Sequence, residues 1–202
     1  MQYQLYKPNS KNSGCAMSFQ VGKEKDGSPC FFVNAVLQAK WNDQYKTGSF
    51  KENAKNPEKS CVVKMNTNEA GEILSSIRSR IPVDFFHKTD KGSTVIKFTP
   101  WDKDRKIKGH NGDETYKSPA FGFTIIKGSS SFKIALEAGE TEVLAAFMEE
   151  LIRADLYFDK RQEETNQSNS VGGDLLGGTN EKSSDKENNE KNNFYDDSDV
   201  PF

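Results

Sequence analysis

Two stretches of this chain repeat one order of segments, and this duplication restricts the folds that the chain can adopt. Residues 63–66 (Val-Lys-Met-Asn) precede a Glu-Ala-Gly-Glu stretch at 69–72, and residues 132–135 (Phe-Lys-Ile-Ala) precede the same four letters at 137–140. Apolar residues that alternate with Lys are typical of a strand, and the apolar residues that follow recur at helical spacing. Each copy is therefore predicted to end in a strand, a turn and an amphipathic helix.

The segments upstream of these strands correspond as well. A turn signal at 25–28 leads into a β-rich run that ends at Trp41, and a turn signal at 90–93 leads into a run that ends at Trp101. Further strands are predicted at residues 16–21, 83–88 and 120–127. The chain is therefore predicted to be an α+β protein of two ββββα-like units, about 14–81 and 82–158, in a pseudo-twofold arrangement.

Each predicted helix has one apolar face, and Pro82 is expected to end the first helix. These faces are formed by Ile73, Leu74, Ile77 and Ile81 in the first helix, and by Val143, Phe147 and Leu151, flanked by Leu144, Met148 and Ile152, in the second.

Charge divides the 202 residues into a basic body and an acidic tail. Residues 161–202 hold 4 Lys and Arg against 10 Asp and Glu, which leaves 24 against 20 for residues 1–160. The tail is rich in Asn, Ser, Gly and charged residues, so it cannot bury enough apolar surface to offset the entropy of ordering. We expect a folded domain at 1–160, a flexible linker at 161–193 and a separate acidic tip at 194–202. A basic body suits a polyanion as its partner.

The tip places carboxylates before an apolar ending at the terminal carboxylate. A pocket for the Phe ring and a basic rim for the carboxylates would recognise this arrangement. It resembles the acidic tip of bacterial single-stranded-DNA-binding proteins (SSBs), which implies recruitment of replication and repair enzymes. The residues predicted to bind such partners are Asp196, Asp197, Asp199, Val200, Pro201 and Phe202.

The body resembles the Whirly and transcriptional positive-cofactor superfamily of single-stranded-DNA binders. The resemblance covers roughly residues 14–158 and rests on Trp41-Asn42-Asp43, on Trp101-Asp102 and on the strand-to-helix segments 63–77 and 132–147. It implies four curved antiparallel strands and a helix per unit, with two units in one chain, as in Whirly proteins. The chain departs from plant Whirly proteins because their Lys-Gly-Lys-Ala-Ala-Leu stretch is missing and the 44–60 loop is longer.

Sequence-tolerant binding of a single strand needs cations for the phosphates and aromatic faces for the bases. Both occur together in two segments, and the predicted contact residues are Lys40, Trp41, Tyr45, Lys46 and Phe50 in the first unit, and Trp101, Lys103, Arg105, Lys106, Lys108, Tyr116 and Lys117 in the second. Two alternatives stay open. Trp41 and Trp101 could instead cap the core, and the 103–108 run could be a solvated loop.

Other classes of function find little support in the sequence. Cys15, Cys30 and Cys61 are scattered without CxxC spacing, which predicts no disulfide framework, no zinc site and a reducing compartment. His87 and His110 are too few for a His-rich metal site, and no phosphate-cradling Gly motif occurs. We therefore expect no enzyme, no metal and no cofactor. The chain has no signal peptide and no apolar run long enough to span a bilayer, which predicts a cytoplasmic protein.

Two hypotheses of different classes follow. In the first, the protein belongs to a bacterial virus or mobile element, coats single-stranded DNA during replication, recombination or repair in the bacterial cytoplasm, and forms a possible homo-oligomer. In the second, it mimics an SSB tip in order to hijack or block host repair enzymes, and its body need not bind DNA. An alternative fold for the first hypothesis is an OB barrel, but that single five-stranded barrel does not account for a helix-ended duplication.

Overall fold

The computed structural model describes residues 1–171 apart from residues 91, 110 and 111, without the side chains of residues 109 and 159–171. Residues Met1–Asp159 form one compact unit, and Lys160–Phe202 are assigned to a second. The acidic tip and residues 172–193 of the predicted linker lie outside the described residues. Helix α2 extends to Val171, so residues 161–171 of the predicted linker continue this helix.

Strands precede a helix twice along the chain, and a two-stranded hairpin is inserted into the first copy. The first copy consists of β1 (Gln2–Lys7), β2 (Cys15–Lys23), β3 (Pro29–Leu37), the hairpin β4 (Lys40–Asn42) and β5 (Thr47–Ser49), β6 (Ser60–Met65) and α1 (Thr67–Ser79). The second consists of β7 (Val83–Thr89), β8 (Gly92–Gly109), β9 (Gly112–Lys127), β10 (Ser130–Leu136) and α2 (Ala138–Val171). Both copies build an antiparallel four-stranded sheet in which sequential strands are neighbours, β1-β2-β3-β6 and β7-β8-β9-β10. The predicted α+β class with two ββββα units is confirmed.

One apolar core receives the inner faces of both sheets and both helices. Phe19 of the first sheet meets Phe123 of the second edge to face, with ring centroids 5.4 Å apart. Phe147 of α2 packs against Phe31, with centroids 6.3 Å apart. Alternation along each strand places every second side chain in this core and leaves the others on an outer face. What covers each outer face then decides which residues are available for binding.

The two tryptophans do not occupy equivalent positions, so the predicted match between them is wrong. Trp41 lies in the inserted hairpin, after the third strand of its sheet, whereas Trp101 lies within β8, the second strand of its sheet. Neither residue ends the strand that the sequence predicts for it, because β3 stops at Leu37 and β8 continues to Gly109. Strand β1 precedes the predicted start of the first unit at residue 14 and pairs with β2.

The two Glu-Ala-Gly-Glu stretches lie at different positions in their helices, because residues 69–72 are inside α1 whereas residues 137–140 begin one residue before α2. In α1 the N-cap is Asn66, whose side chain accepts the Glu69 N–H while the Glu69 carboxylate accepts the Asn66 N–H. At α2 the corresponding bond runs from the Glu137 N–H to the Glu140 carboxylate. The structural equivalents are therefore Asn66 with Glu137 and Glu69 with Glu140. The stretch at 69–72 lies inside α1 and is not the turn that the sequence predicts.

Candidate nucleic-acid interface

A two-stranded β-arm projects from the second sheet. Strands β8 and β9 pair from Thr94 opposite Lys127 to Gly109 opposite Gly112, whereas β7 pairs with β8 only as far as Phe98 and β10 pairs with β9 only as far as Phe121. Residues 99–109 and 112–120 therefore form a ribbon without further strand neighbours, which we call the β-arm. The 103–108 run is part of this ribbon rather than a loop.

One face of the β-arm combines aromatic rings with cations. Trp101 lies opposite Ala120, Lys103 opposite Ser118, and Arg105 opposite Tyr116, so all three cross-strand pairs share one face. Trp101 is 40% exposed and Tyr116 is 45% exposed. Tyr116 lies opposite Arg105, four residue steps along β8 from Trp101, which corresponds to about 13 Å. The face can therefore offer two rings to bases of an extended strand.

The other face of the β-arm holds three cations, two of which have no ion-pair partner in the part of the chain that the structure describes. Lys106 lies opposite Thr115 and Lys108 opposite Asp113, while Lys117 forms an ion pair with Asp104 at 3.2 Å. Neither Lys106 nor Lys108 makes an ion pair with any residue that the structure describes. Both are exposed. They are the arm cations whose charge is fully available to a phosphate.

Lys103 and Arg105 are fastened to the start of α2. Both side chains pair with the carboxylate of Glu137, the residue that precedes the helix. The hydrogen bond from Lys103, supported by the nearby positive charge of Arg105, lowers the pKa of the Glu137 carboxyl. This carboxylate holds the arm against the helix and neutralises part of its charge. The three side chains are between 33% and 39% exposed, so solvent still reaches these ion pairs and weakens them, and a phosphate can compete with Glu137 for the two cations.

Arg80 holds the base of the β-arm, a role that the sequence analysis misses. It is the C-cap of α1, with a left-handed backbone at φ 58°. Its guanidinium donates to the carbonyl of Trp101 at 3.1 Å and to the carboxylate of Asp102 at 2.8 Å. It also lies over the Phe121 ring, 5.7 Å from the centroid. The sequence shows Arg80 as an ordinary polar residue at the end of a helix, and only the fold brings the arm to it.

Four of the five predicted contact residues of the first unit lie on the β4–β5 hairpin. Tyr45 is 69% exposed at its turn, while Trp41 is half-buried and donates its indole N–H to Asp43 at 3.1 Å. Lys40 pairs with Glu52 at 2.6 Å, and Lys46 lies 3.7 Å from Asp43. This hairpin therefore presents aromatic surface, but its two cations are both matched by carboxylates.

Buried Gln38 positions that hairpin. Its side-chain amide donates to the carbonyls of Asn9 at 2.9 Å and Lys40 at 3.1 Å, and its Oε1 accepts the Asn9 N–H at 2.8 Å. Such a satisfied buried amide fixes one geometry, because each alternative would leave polar atoms without partners.

Phe50 is not available for base stacking, so its prediction as a contact residue is wrong. It is 6% exposed and packs with Ala16 and Val36 on the outer face of the first sheet. Tyr6 meets its ring at an angle, with centroids 6.0 Å apart. The segment after the hairpin turns back onto the sheet and buries this ring. The sequence gives no sign of that turn, because Phe50 is surrounded by polar residues.

A groove of about 1070 Å³ lies between β6, the start of α1 and the β7–β8 hairpin. Three lysines and three glutamates line it, namely Lys64, Lys88, Lys127, Glu24, Glu58 and Glu69. His87 Nε2 lies 2.5 Å from Glu69 Oε1 at its edge. Because its charges balance, the groove attracts a polyanion less than the β-arm does.

The described residues contain no group of three or more His, Cys, Asp or Glu side chains placed to hold a metal ion. Cys15, Cys30 and Cys61 are free and buried, and burial raises the pKa of the Cys15 and Cys61 thiols to about 12. Within the described part of the chain, no helix is both long and apolar enough to pass through a membrane.

Comparison with solved structures identifies the fold. No protein-family model and no curated protein matches the sequence. The structure of the plant transcriptional regulator PBF-2 is similar with a TM-score of 0.50 and 14% identity, over 82% of this chain and 87% of that one. The structure of WHY3 from Arabidopsis thaliana is similar with a TM-score of 0.50 and 12% identity, over 84% of this chain and 96% of that one. Both are Whirly proteins, and the chain therefore has a Whirly-like fold, as the sequence resemblance implies.

Proposed function

We propose that the protein binds single-stranded DNA without sequence preference through the β-arm and the outer face of the second sheet. The observation that carries this proposal is the presence of Trp101 and Tyr116, both exposed, on the same ribbon as Lys106 and Lys108, which have no ion-pair partner among the described residues. Stacking on aromatic rings tolerates any base, and lysines track the phosphates. The fold supports the proposal, since PBF-2, which shares it, is a transcriptional regulator.

The proposal extends to a role in DNA replication, recombination or repair. In this role the folded body coats single strands, and the tip recruits partner enzymes through Asp196, Asp197 and Asp199 and the Val200-Pro201-Phe202 ending. The chain between body and tip keeps the two at a high effective concentration. This part rests on the sequence of the tip and on its resemblance to SSB tips.

Fluorescence anisotropy of the full chain with labelled oligo(dT) tests DNA binding. We expect affinity for oligo(dT) and for mixed-sequence single strands to be similar, and to fall steeply as salt rises from about 50 mM to about 200 mM. A duplex of the same length is the matched control and should bind more weakly, because its stacked bases cannot reach the rings. No binding at about 50 mM salt would overturn the proposal and favour the SSB-tip mimic.

The acidic tip is expected to compete with DNA for the basic body. Deleting residues 194–202 removes three aspartates, and should tighten binding to oligo(dT) up to about tenfold at low salt and little at high salt. The measurement is a series of anisotropy titrations of the full chain and the deletion variant across salt concentrations. Equal affinities at low salt would contradict this competition.

Two substitution variants separate charge from hydrophobic contact in the tip. The triple variant D196N/D197N/D199N should reproduce the effect of the deletion on DNA binding, because it removes the negative side chains. F202A keeps these charges and should leave DNA binding unchanged, while it should reduce capture of enzymes that bind bacterial SSB tips.

A further inference from the structure

The register of the two sheets gives a residue-by-residue match between the two units. Met65 and Leu136 are the last residues of the fourth strands, and each is followed by the residue that starts a helix, Asn66 or Glu137. The cross-strand pairs that continue from Met65 and Leu136 then match Phe31 with Phe121. They also match the core residues Phe19 and Phe98. The match therefore applies to the outer faces as well.

One row of the outer face has the same chemistry in both sheets. In the first sheet the row crosses β1, β2 and β3 through Tyr6, Ala16 and Val36. The equivalent row crosses β7, β8 and β9 through Phe86, Val95 and Ile126. Each row consists of an aromatic residue on the edge strand followed by two aliphatic residues, so each forms an apolar patch on the outside of its sheet.

The two patches differ in what covers them. In the first sheet Phe50 packs onto Ala16 and Val36 and reduces their exposure to 3% and 2%. In the second sheet Phe86 is 65% exposed, and Val95 and Ile126 are both half-buried. The second unit has no segment inserted between its third and fourth strands, because β9 is joined to β10 by a short turn. The patch on the second sheet therefore lacks the aromatic ring that its counterpart receives.

The neighbouring row indicates the charge of a group that would suit this patch. Next to the apolar row, the second sheet carries Lys97 and Lys133 on either side of Thr124. The equivalent residues in the first sheet, Ser18 and Val62, have no charge. Lys133 makes no ion pair within the described residues, whereas Lys97 forms an exposed ion pair with Asp84 at 3.5 Å, which a phosphate can displace. An aromatic ring that carries a negative group suits this surface better than a purely apolar side chain.

The surface of the second sheet is also open between the patch and the β-arm. Gly122 occupies the position of Phe32, whose ring covers Gly22 on the first sheet so closely that a Cβ there would lie 2.4 Å from it. At Gly122 an added Cβ would meet only the Thr99 carbonyl, at 3.8 Å. The outer face of β8 runs from Val95 past Lys97 to Trp101, and beside this path no ring lies within 4 Å of an added Cβ at Gly122. The path is about 20 Å long at the rise of a β-strand.

We propose that Phe86, Val95 and Ile126 form a second stacking platform, which takes a nucleobase of the single strand whose phosphates contact Lys97 and Lys133. The inference rests on the proposed function and extends the site from the β-arm to the far edge of the second sheet. A single strand that bridges Trp101 and Phe86 crosses this face between two aromatic platforms. The first sheet, with its patch filled by Phe50 and its row of uncharged residues, does not bind the strand in this way.

Anisotropy with the full-length F86A and F86W variants tests this platform. F86A removes the ring on which one base stacks and should weaken oligo(dT) binding about tenfold, whereas F86W keeps an aromatic ring and should retain the affinity. The matched ligand is an abasic oligonucleotide, which keeps the phosphates but lacks bases. It should bind to the parent protein and to F86A with equal affinity. Because Phe86 is exposed, its replacement should leave the thermal unfolding midpoint unchanged, and circular dichroism checks this.

The outcomes distinguish failure of the stacking platform from failure of the proposed function. If the parent protein binds oligo(dT) and F86A binds it equally well, the platform is overturned while DNA binding by the β-arm stands. If F86A loses affinity for the abasic oligonucleotide to the same extent, Phe86 does not stack on a base and the inference is again wrong. If sedimentation shows that F86A only dissociates an oligomer and leaves DNA binding unchanged, the patch joins copies of the chain instead. Absence of binding by the parent protein overturns both proposals.

Discussion

Reversing the charge of Lys106 and Lys108 (K106E/K108E) is expected to weaken oligo(dT) binding about 100-fold at about 50 mM salt. These two arm lysines form no ion pair inside the described ranges, so no carboxylate there neutralises their charge. Each phosphate contact to a single strand changes the slope of log affinity against log salt by about 0.7. The loss of two contacts should therefore make the slope shallower by about 1.4. Anisotropy titrations at several salt concentrations measure both quantities.

The matched control is K51E/K55E, which changes the net charge by the same amount. Lys51 and Lys55 are exposed in the segment that follows the β4–β5 hairpin, and neither forms an ion pair with a described residue. A site-specific role of the β-arm predicts a loss of no more than about threefold for this control. Equal losses in the two variants would mean that DNA responds only to net charge, which would contradict a binding site on the arm.

The cations near the β-arm have two different roles, one structural and one available for binding DNA. Glu137 forms ion pairs with Lys103 and Arg105. Arg80 donates to the carbonyl of Trp101 and to the carboxylate of Asp102. These contacts orient the face that carries Trp101 without occupying its ring. The arm therefore keeps two kinds of cation, one that fixes its position and one that is free to meet a phosphate. This division explains why a count of the basic residues in the 103–108 run overstates the charge available to DNA.

Much of the fold could be predicted from the sequence, because alternation along a strand and periodicity along a helix record which face is buried. The apolar residues on the predicted buried faces of the helices include Ile73, Leu74, Leu144 and Phe147. All four lie in the hydrophobic core. Val143 and Ile81 are predicted on the same faces, but they are 50% and 62% exposed. Val143 faces solvent on α2, and Ile81 lies beyond the end of α1 at Ser79. Periodicity identifies an apolar stripe but not its width.

The site was harder to predict, because what covers the outer face of a sheet depends on distant segments. Phe50 and Phe86 illustrate the difficulty. Phe50 follows a polar hairpin and is predicted to contact DNA, whereas Phe86 lies in the predicted strand 83–88, where local spacing does not mark it as exposed. The structure reverses both, since a turn back onto the first sheet buries Phe50 and an edge position exposes Phe86. Neither result follows from local spacing.

Replacing Phe50 by alanine (F50A) should lower the free energy of unfolding by about 3 kcal/mol, at the lower end of the range for Phe→Ala, because its cluster is small. Urea denaturation followed by circular dichroism measures the change. The control is Y45A, which removes a ring at the turn of the preceding hairpin that is 69% exposed. This change should alter stability by less than about 0.5 kcal/mol.

The same variant tests whether the two units differ because of this one ring. F50A uncovers Ala16 and Val36, but the row beside them keeps Ser18 and Val62 in place of two lysines. An uncovered apolar patch without adjacent cations should not bind a single strand, so the affinity of folded F50A for oligo(dT) should equal that of the parent protein. A large loss of affinity with unchanged stability would restore Phe50 as a contact residue. It would also contradict the assignment of the binding surface to the second unit.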